Sequence, residues 1–143
     1  MDTQLTPTEI RQIHQLVQNY ESAQAALTAL DHNNGRLDTS FDQLWQAQVG
    51  RQTFGEGKSL WQTTLKVLRR ELCGDESFRS KILDYNKNPG SASLLTGAVL
   101  YIIELTALPL SPALATIVVL YILKVGLNIF CEYTEPSTNS PAQ

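Results

Sequence analysis

The chain has 143 residues, of which 43% are hydrophobic and 17% are charged, so it is long and apolar enough to bury a core. This composition excludes an intrinsically disordered chain. The net charge of −3 argues against a general nucleic-acid-binding protein, because phosphate binding depends on clustered lysine and arginine.

The N-terminal segment predicts a capped amphipathic helix. Thr6 is followed by Pro7 and Glu9, which is the pattern of a capping box with proline at the first helical position. Apolar residues then recur every three or four positions as far as Leu30, so we expect one long helix that ends near Asp31. The first residues form neither a basic nor an apolar leader, and no secretory signal is expected.

Three more amphipathic helices are predicted before residue 90. Thr39 and Asp42 are expected to cap a second, shorter helix, and a glycine-containing connector follows it. A third helix covers about residues 60–73, and Asp75 caps a fourth that ends at the linker NKNPGSAS. We therefore assign residues 1–90 to one amphipathic helical domain.

A basic cluster lies on the third and fourth predicted helices. Its members are Lys66, Arg69, Arg70, Arg79 and Lys81. Three interpretations stay open: a solvated face paired with nearby acids, a contact with anionic lipids, and a contact with an acidic protein partner.

Residues 91–131 are predicted to form an apolar helical hairpin, followed by a polar tail at 132–143. Pro109 and Pro112 interrupt the apolar run, so a continuous helix is not expected there. The pattern predicts helices at roughly 92–108 and 112–131, with Ser111 capping the second.

The polar residues of the hairpin share one helix face in each arm. They are Gly97, Tyr101 and Glu104 in the first arm, and Tyr121, Lys124 and Asn128 in the second. The charged side chains of Glu104 and Lys124 are offset by about 10 Å along the helix axes, so a direct ion pair would need both to be stretched. In a membrane such residues would pack between hairpins, whereas in a soluble protein they would be hydrogen-bonded core residues.

The length of the arms leaves two interpretations of the hairpin. A membrane-spanning helix needs roughly 17–25 mostly apolar residues, and both predicted arms reach that length. The basic residues before the hairpin would then stay in the cytoplasm by the positive-inside rule. Alternatively, the arms are apolar on all sides because other helices surround them in a core.

The cysteines and histidines give no catalytic or metal-binding pattern. Cys73 and Cys131 each end a predicted helix without a C-x-x-C motif, so we expect two reduced packing residues in a reducing compartment. His14 and His32 have no second ligand at metal-binding spacing, and no nucleophile or phosphate-loop motif is present. We therefore expect a protein that is not an enzyme and has no cofactor.

A resemblance to known sequences covers the C-terminal half of the chain. It lies in the run LWQTTLKVLRREL, in its continuation through the NPG turn, and in LPLSPALATIVVLYILKVGLNIFCEYTEP. Over about residues 59–137 the chain is similar to small uncharacterised helical proteins of cyanobacteria and related bacteria. The resemblance implies a bacterial cytoplasmic or inner-membrane setting and brings no functional residue. The layout of a helical domain before an apolar hairpin also resembles membrane-disrupting effectors of bacterial defence systems.

The sequence thus predicts an all-α protein with four amphipathic helices followed by a two-helix apolar hairpin. Our first hypothesis is a non-enzymatic protein whose hairpin inserts into the inner membrane, with both termini cytoplasmic. Its helical domain would bind a protein partner or form a homo-oligomer, as in a membrane-acting effector. The alternative is a soluble, cytoplasmic six-helix adaptor or interaction subunit with the hairpin as its buried core.

Overall fold

The fold is all-helical, as predicted. The computed structural model describes residues 4–49, 60–106 and 110–132. Within these ranges the chain forms one short 3₁₀ helix, Glu21–Ala23, and eight α-helices, which are α1 (Pro7–Leu16), α2 (Gln24–His32), α3 (Leu37–Val49), α4 (Leu60–Leu72), α5 (Glu76–Lys87), α6 (Ala92–Leu105), α7 (Pro112–Val125) and α8 (Leu127–Glu132).

The predicted first helix is divided into separate segments, so the expected arrangement of four helices before the hairpin is not observed. Helix α1 ends at Leu16, and the chain passes through the 3₁₀ helix before α2 begins. Where α1 ends, the carbonyl of Val17 accepts from the Tyr20 amide at 2.9 Å and from the side-chain amide of Gln24 at 3.0 Å. Apolar periodicity continues across this break, and for that reason the sequence pattern did not reveal it.

The predicted helix caps before α1, α5 and α7 are confirmed. Thr6 and Glu9 form a reciprocal capping box, and the Asp75 carboxylate accepts from the backbone amide of Phe78 at 2.8 Å. Ser111 accepts from the Leu114 amide at 3.2 Å, with Pro112 at the first helical position. Helix α3 begins at Leu37, two residues before the cap that we predicted for it.

Both arms of the hairpin are shorter than predicted, with 14 residues each in α6 and α7. Helix α7 ends because Gly126 adopts a φ of 93°, and its amide donates to the Ile122 carbonyl at 2.7 Å. The following residues form the separate helix α8, so the second arm does not continue to residue 131. Across the three described ranges, no helix is long and apolar enough to cross a membrane.

Helix α7 is the centre of the core. Ten consecutive residues, from Ala113 to Ile122, are buried. The helix contacts α2, α3, α6, α8 and the 3₁₀ helix, which explains why its sequence is apolar on all sides. Near its C-terminal end, the ring of Tyr121 packs edge-on against Trp61 of α4, with 5.0 Å between the ring centroids.

Gly35 lies where the chain between α2 and α3 approaches the segment before α1. The amide of Leu5 donates to the Gly35 carbonyl at 2.8 Å, and Gly35 has a φ of 86°. A Cβ atom at position 35 would lie 2.5 Å from the carbonyl oxygen of Leu5. The site therefore requires glycine for two reasons, the positive φ and the close backbone contact.

We expect Gly35→Ala to lower the free energy of unfolding by at least about 2 kcal/mol, from left-handed strain and the clash with Leu5. Urea denaturation followed by circular dichroism measures this change. Gly74→Ala is the matched control, because a Cβ atom at position 74 meets nothing within 4 Å. Equal stability of the two variants would contradict this account of Gly35.

Candidate functional site

The polar residues that were predicted on one face of each hairpin arm, here called the polar stripes, do not pair with each other. In α6, the Tyr101 hydroxyl donates to the Asp75 carboxylate at 2.8 Å, and the Tyr101 ring stacks on Phe78. Hydrogen bonds from the Phe78 amide and from Tyr101 hold the pKa of Asp75 below its usual value. Tyr101 therefore ties the first arm to the start of α5.

The polar residues of the second arm also contact the amphipathic helices. Tyr121 is buried between Trp61 and Phe130, and the Lys124 ammonium donates to the Glu9 carboxylate of α1 at 2.9 Å. Asn128 lies in α8, where its side-chain oxygen accepts from Arg79 at 3.1 Å. Helix α7 ends before Asn128, so the predicted three-residue face is not continuous.

Gly97 and Glu104 differ from the other stripe residues in lying toward the outer surface of α6. Glu104 is exposed, and a Cβ atom at position 97 would meet nothing within 4 Å. The carboxylate that binds Lys124 belongs to Glu9 of α1 rather than to Glu104.

Some residues of the basic cluster contact other helices of the fold, and others are exposed to solvent. The Arg69 guanidinium donates to the Phe130 carbonyl at 2.9 Å and lies 5.2 Å from the centroid of the Phe130 ring. Arg79 binds Asn128, and the Lys81 ammonium lies 5.2 Å from the centroid of the Tyr101 ring. Lys66 and Arg70, four residues apart on α4, are exposed and share one side of that helix. Arg69, Arg79 and Lys81 are half-buried, so Lys66 and Arg70 are the members of the cluster best placed for a lipid or protein contact.

Cys73 and Cys131 form a disulfide, so the prediction of two reduced cysteines was wrong. The bond joins the chain just after α4 to α8, with a Cα–Cα distance of 5.6 Å. The turn at Gly126 folds α8 back toward α4, which brings together two cysteines that are 58 residues apart. With the hydrogen bonds that Arg69 and Arg79 donate to Phe130 and Asn128, the disulfide fixes α8 to α4 and α5.

A cleft of about 480 Å³ lies between α1, the turn from α5 to α6, and the C-terminal half of α7. Its walls are mainly apolar, and polar side chains of α1 and α7 complete the lining. The lining residues are Leu5, Glu9, Gln12, Ile13, Gln15, Leu16, Tyr85, Pro89, Gly90, Leu120, Leu123 and Lys124. This mixture of apolar walls and a few polar groups is typical of sites that bind a ligand or an apolar segment of a partner.

The ion pair between Glu9 and Lys124 joins two walls of this cleft. The side chain of Lys124 is 14% exposed and that of Glu9 is 38% exposed, so water screens the pair only in part. Burial disfavours the charged form of Glu9, but the Thr6 amide and the Lys124 ammonium favour it more, and the pKa of Glu9 is lowered. The pair thus holds α1 against α7 when both groups are charged.

Because the folded-state pKa of Glu9 is lowered, its contribution to stability is present above its unfolded pKa and is lost as pH falls through the folded value. We expect Glu9→Gln to cost about 0.5–1 kcal/mol at neutral pH and to be nearly silent in acid. Lys124→Leu removes the same ion pair by changing its partner on α7, and so tests the same contribution to stability.

Urea denaturation at several pH values from neutral to acidic measures this effect. Glu71→Gln serves as the control, since Glu71 is an exposed glutamate on α4. A pH dependence of stability that is identical in wild type and Glu9→Gln would contradict the role of the ion pair.

Sequence reasoning assigned Glu9 to the capping box and missed its second role. One carboxylate oxygen accepts from both the Thr6 amide and the Lys124 ammonium, each at 2.9 Å. The two charged residues are 115 positions apart, and no local pattern connects them. The lysine within the apolar second arm was the available signal that a distant acid was needed.

Comparison with known proteins identifies no relative: no protein-family model, curated protein or solved structure matches this chain.

Proposed function

We propose that this small helical protein is a non-enzymatic interaction subunit in which the apolar hairpin is the core of the fold. The observation that carries the proposal is the unbroken burial of Ala113–Ile122 by α2, α3, α6, α8 and the 3₁₀ helix. A hairpin that inserted into a membrane would have to leave these contacts and expose the apolar faces of the helices that cover it.

Polar contacts between the hairpin and the amphipathic helices support the same proposal. Lys124 binds Glu9 of α1, and Tyr101 binds the Asp75 cap of α5. In the membrane-effector hypothesis these groups would instead pack between hairpins inside the bilayer. Their present partners favour a hairpin that remains part of the helical fold.

The α1–α7 cleft is the surface that we propose for a protein partner. Leu16, Leu120 and Leu123 supply apolar walls, while Gln12 and Gln15 supply hydrogen-bonding groups. A groove of this kind suits an amphipathic segment of another chain, whose apolar side chains would enter the cleft. From the resemblance over residues 59–137, we also propose a bacterial setting for this interaction.

Cell fractionation with an alkaline carbonate wash separates the two hypotheses about the hairpin. We expect the tagged protein in the supernatant without detergent, and Lys124→Leu should stay there while it lowers stability. Retention in the washed pellet, with release only by detergent, would contradict the proposal.

Site-specific photo-crosslinking tests the cleft as the partner site. A crosslinking amino acid at Gln15, on the cleft, is expected to give a discrete adduct with another protein. The same amino acid at Gln46 of α3, which is exposed and does not line the cleft, is the matched control. Equal labelling at both positions, or labelling at neither, would count against the cleft.

A further inference from the structure

Helix α6 presents an unusual outer face. Four residues at spacings of four, three and four share the side opposite the buried residues Leu95, Val99 and Ile102. They are Ser93, Gly97, Leu100 and Glu104. Leu100 at the centre is 46% exposed, and the partly buried Ile103 lies beside it. This spacing is the one by which a helix packs against another helix.

We propose that this face binds the same face of a second copy, with the two α6 helices antiparallel across a two-fold axis. The inference rests on the proposed function in one respect, since α6 must stay in the fold with this face outward, and it adds a second surface to the α1–α7 cleft. An axis between residues 97 and 100 places Leu100 of each copy opposite Gly97 of the other. Gly97 leaves room for that side chain, because a Cβ atom there would meet nothing within 4 Å. The surface is therefore self-complementary, with a projecting leucine and a matching gap.

The charge at the end of this face supports the same antiparallel orientation. Glu104 lies in the last turn of α6, where the negative end of the helix dipole disfavours an acid. In the proposed pair, Glu104 of one copy lies opposite Ser93 of the other, which is in the first turn of α6. There the positive end of the helix dipole favours an acid. Within one chain these residues are about 16 Å apart along the helix, so Glu104 cannot reach the start of its own α6.

Leu83, another strongly exposed apolar residue, does not lie on such a face. Leu83 on α5 is 51% exposed, but its neighbours at the same side of the helix, Glu76, Ser80 and Lys87, are polar. Single exposed apolar side chains are common on protein surfaces. Leu83 is therefore a suitable control for Leu100.

Sedimentation analysis of the purified full chain over a range of concentrations tests the proposal. We expect a monomer–dimer equilibrium, with Leu100→Glu raising the dissociation constant at least about 100-fold, because a two-fold interface contains the residue twice. Leu83→Glu should leave the constant unchanged. A wild-type chain that stays monomeric up to about 100 μM would overturn the proposal, and so would equal effects of the two variants.

Gly97→Leu separates loss of the dimer from loss of folding. Leucine favours a helix more than glycine does, and position 97 is open, so the monomer should become more resistant to denaturation. The same change fills the gap that receives Leu100, and we expect the dissociation constant to rise about 10-fold or more. A dimer that is unchanged by Gly97→Leu would contradict the proposed packing.

Charge reversal tests the orientation of the two helices. Glu104→Lys should weaken the dimer, since it places a cation beside the start of the other copy's α6. Adding Ser93→Glu to the same chain should restore association, because an acid at 93 then faces the lysine across the interface. If the double variant associates no better than Glu104→Lys alone, the antiparallel arrangement is wrong.

These outcomes are distinguishable from failure of the proposed function. A monomer recovered without detergent would overturn the α6 dimer and leave the buried hairpin intact. Recovery only in detergent would instead contradict the proposed function itself.

Discussion

Replacing Ile117 by alanine is expected to lower the free energy of unfolding by about 2–5 kcal/mol, the range for large-to-small changes in a packed core. Ile117 is fully buried near the middle of α7. The substitution removes apolar contacts in the helix that the rest of the fold surrounds, and the cavity it leaves cannot fill with water. Chemical denaturation of the purified chain without detergent measures the loss.

Ile129→Ala is the matched control for this experiment. Ile129 is 52% exposed on α8, so the same change of side chain should cost less than about 1 kcal/mol. Similar losses at both positions, or no loss at Ile117, would show that α7 is not the packed centre of the fold.

Breaking the disulfide is expected to have an effect of similar size. Cys73 and Cys131 are 58 residues apart, and closing a loop of that length in the unfolded chain corresponds to about 4 kcal/mol in the chain-entropy model. We expect a reductant to lower the free energy of unfolding of the wild-type protein by about this amount. Denaturation curves with and without dithiothreitol give the difference.

The double variant Cys73→Ala/Cys131→Ala provides the control for reduction. It should be as unstable as the reduced wild type and should not respond to the reductant. A wild type with the same stability in both conditions would contradict a stabilising disulfide. Alkylation of thiols in intact cells then reports which form the protein has there, since disulfides are rare in a reducing cytosol.

The parts of the fold that follow from local chemistry could be predicted from the sequence. The capping box at Thr6 and Glu9, the Asp75 cap and the Ser111–Pro112 start of α7 each depend on residues within four positions. The apolar character of α6 and α7 was equally visible. Local patterns therefore identified the all-helical class and most helix starts.

The parts that depend on distant contacts could not be predicted. An apolar helix has the same composition whether lipid or other helices surround it, so the sequence could not choose between those environments for α7. The turn at Gly126, which ends α7 and forms α8, determines the disulfide and the contacts of Arg69 and Arg79. Glu9 and Lys124 were both noted in the sequence, but only the packing of α1 beside α7 makes them partners.

Amide hydrogen exchange of the detergent-free protein, resolved by residue, tests most directly whether the hairpin is the core. If it is, the amides from Thr116 to Ile122 should exchange most slowly, with protection close to the free energy of global unfolding. The exposed turn around Pro89 and Gly90 should exchange much faster. Weak protection throughout α7, with the slowest amides in another helix, would contradict a fold built around this hairpin.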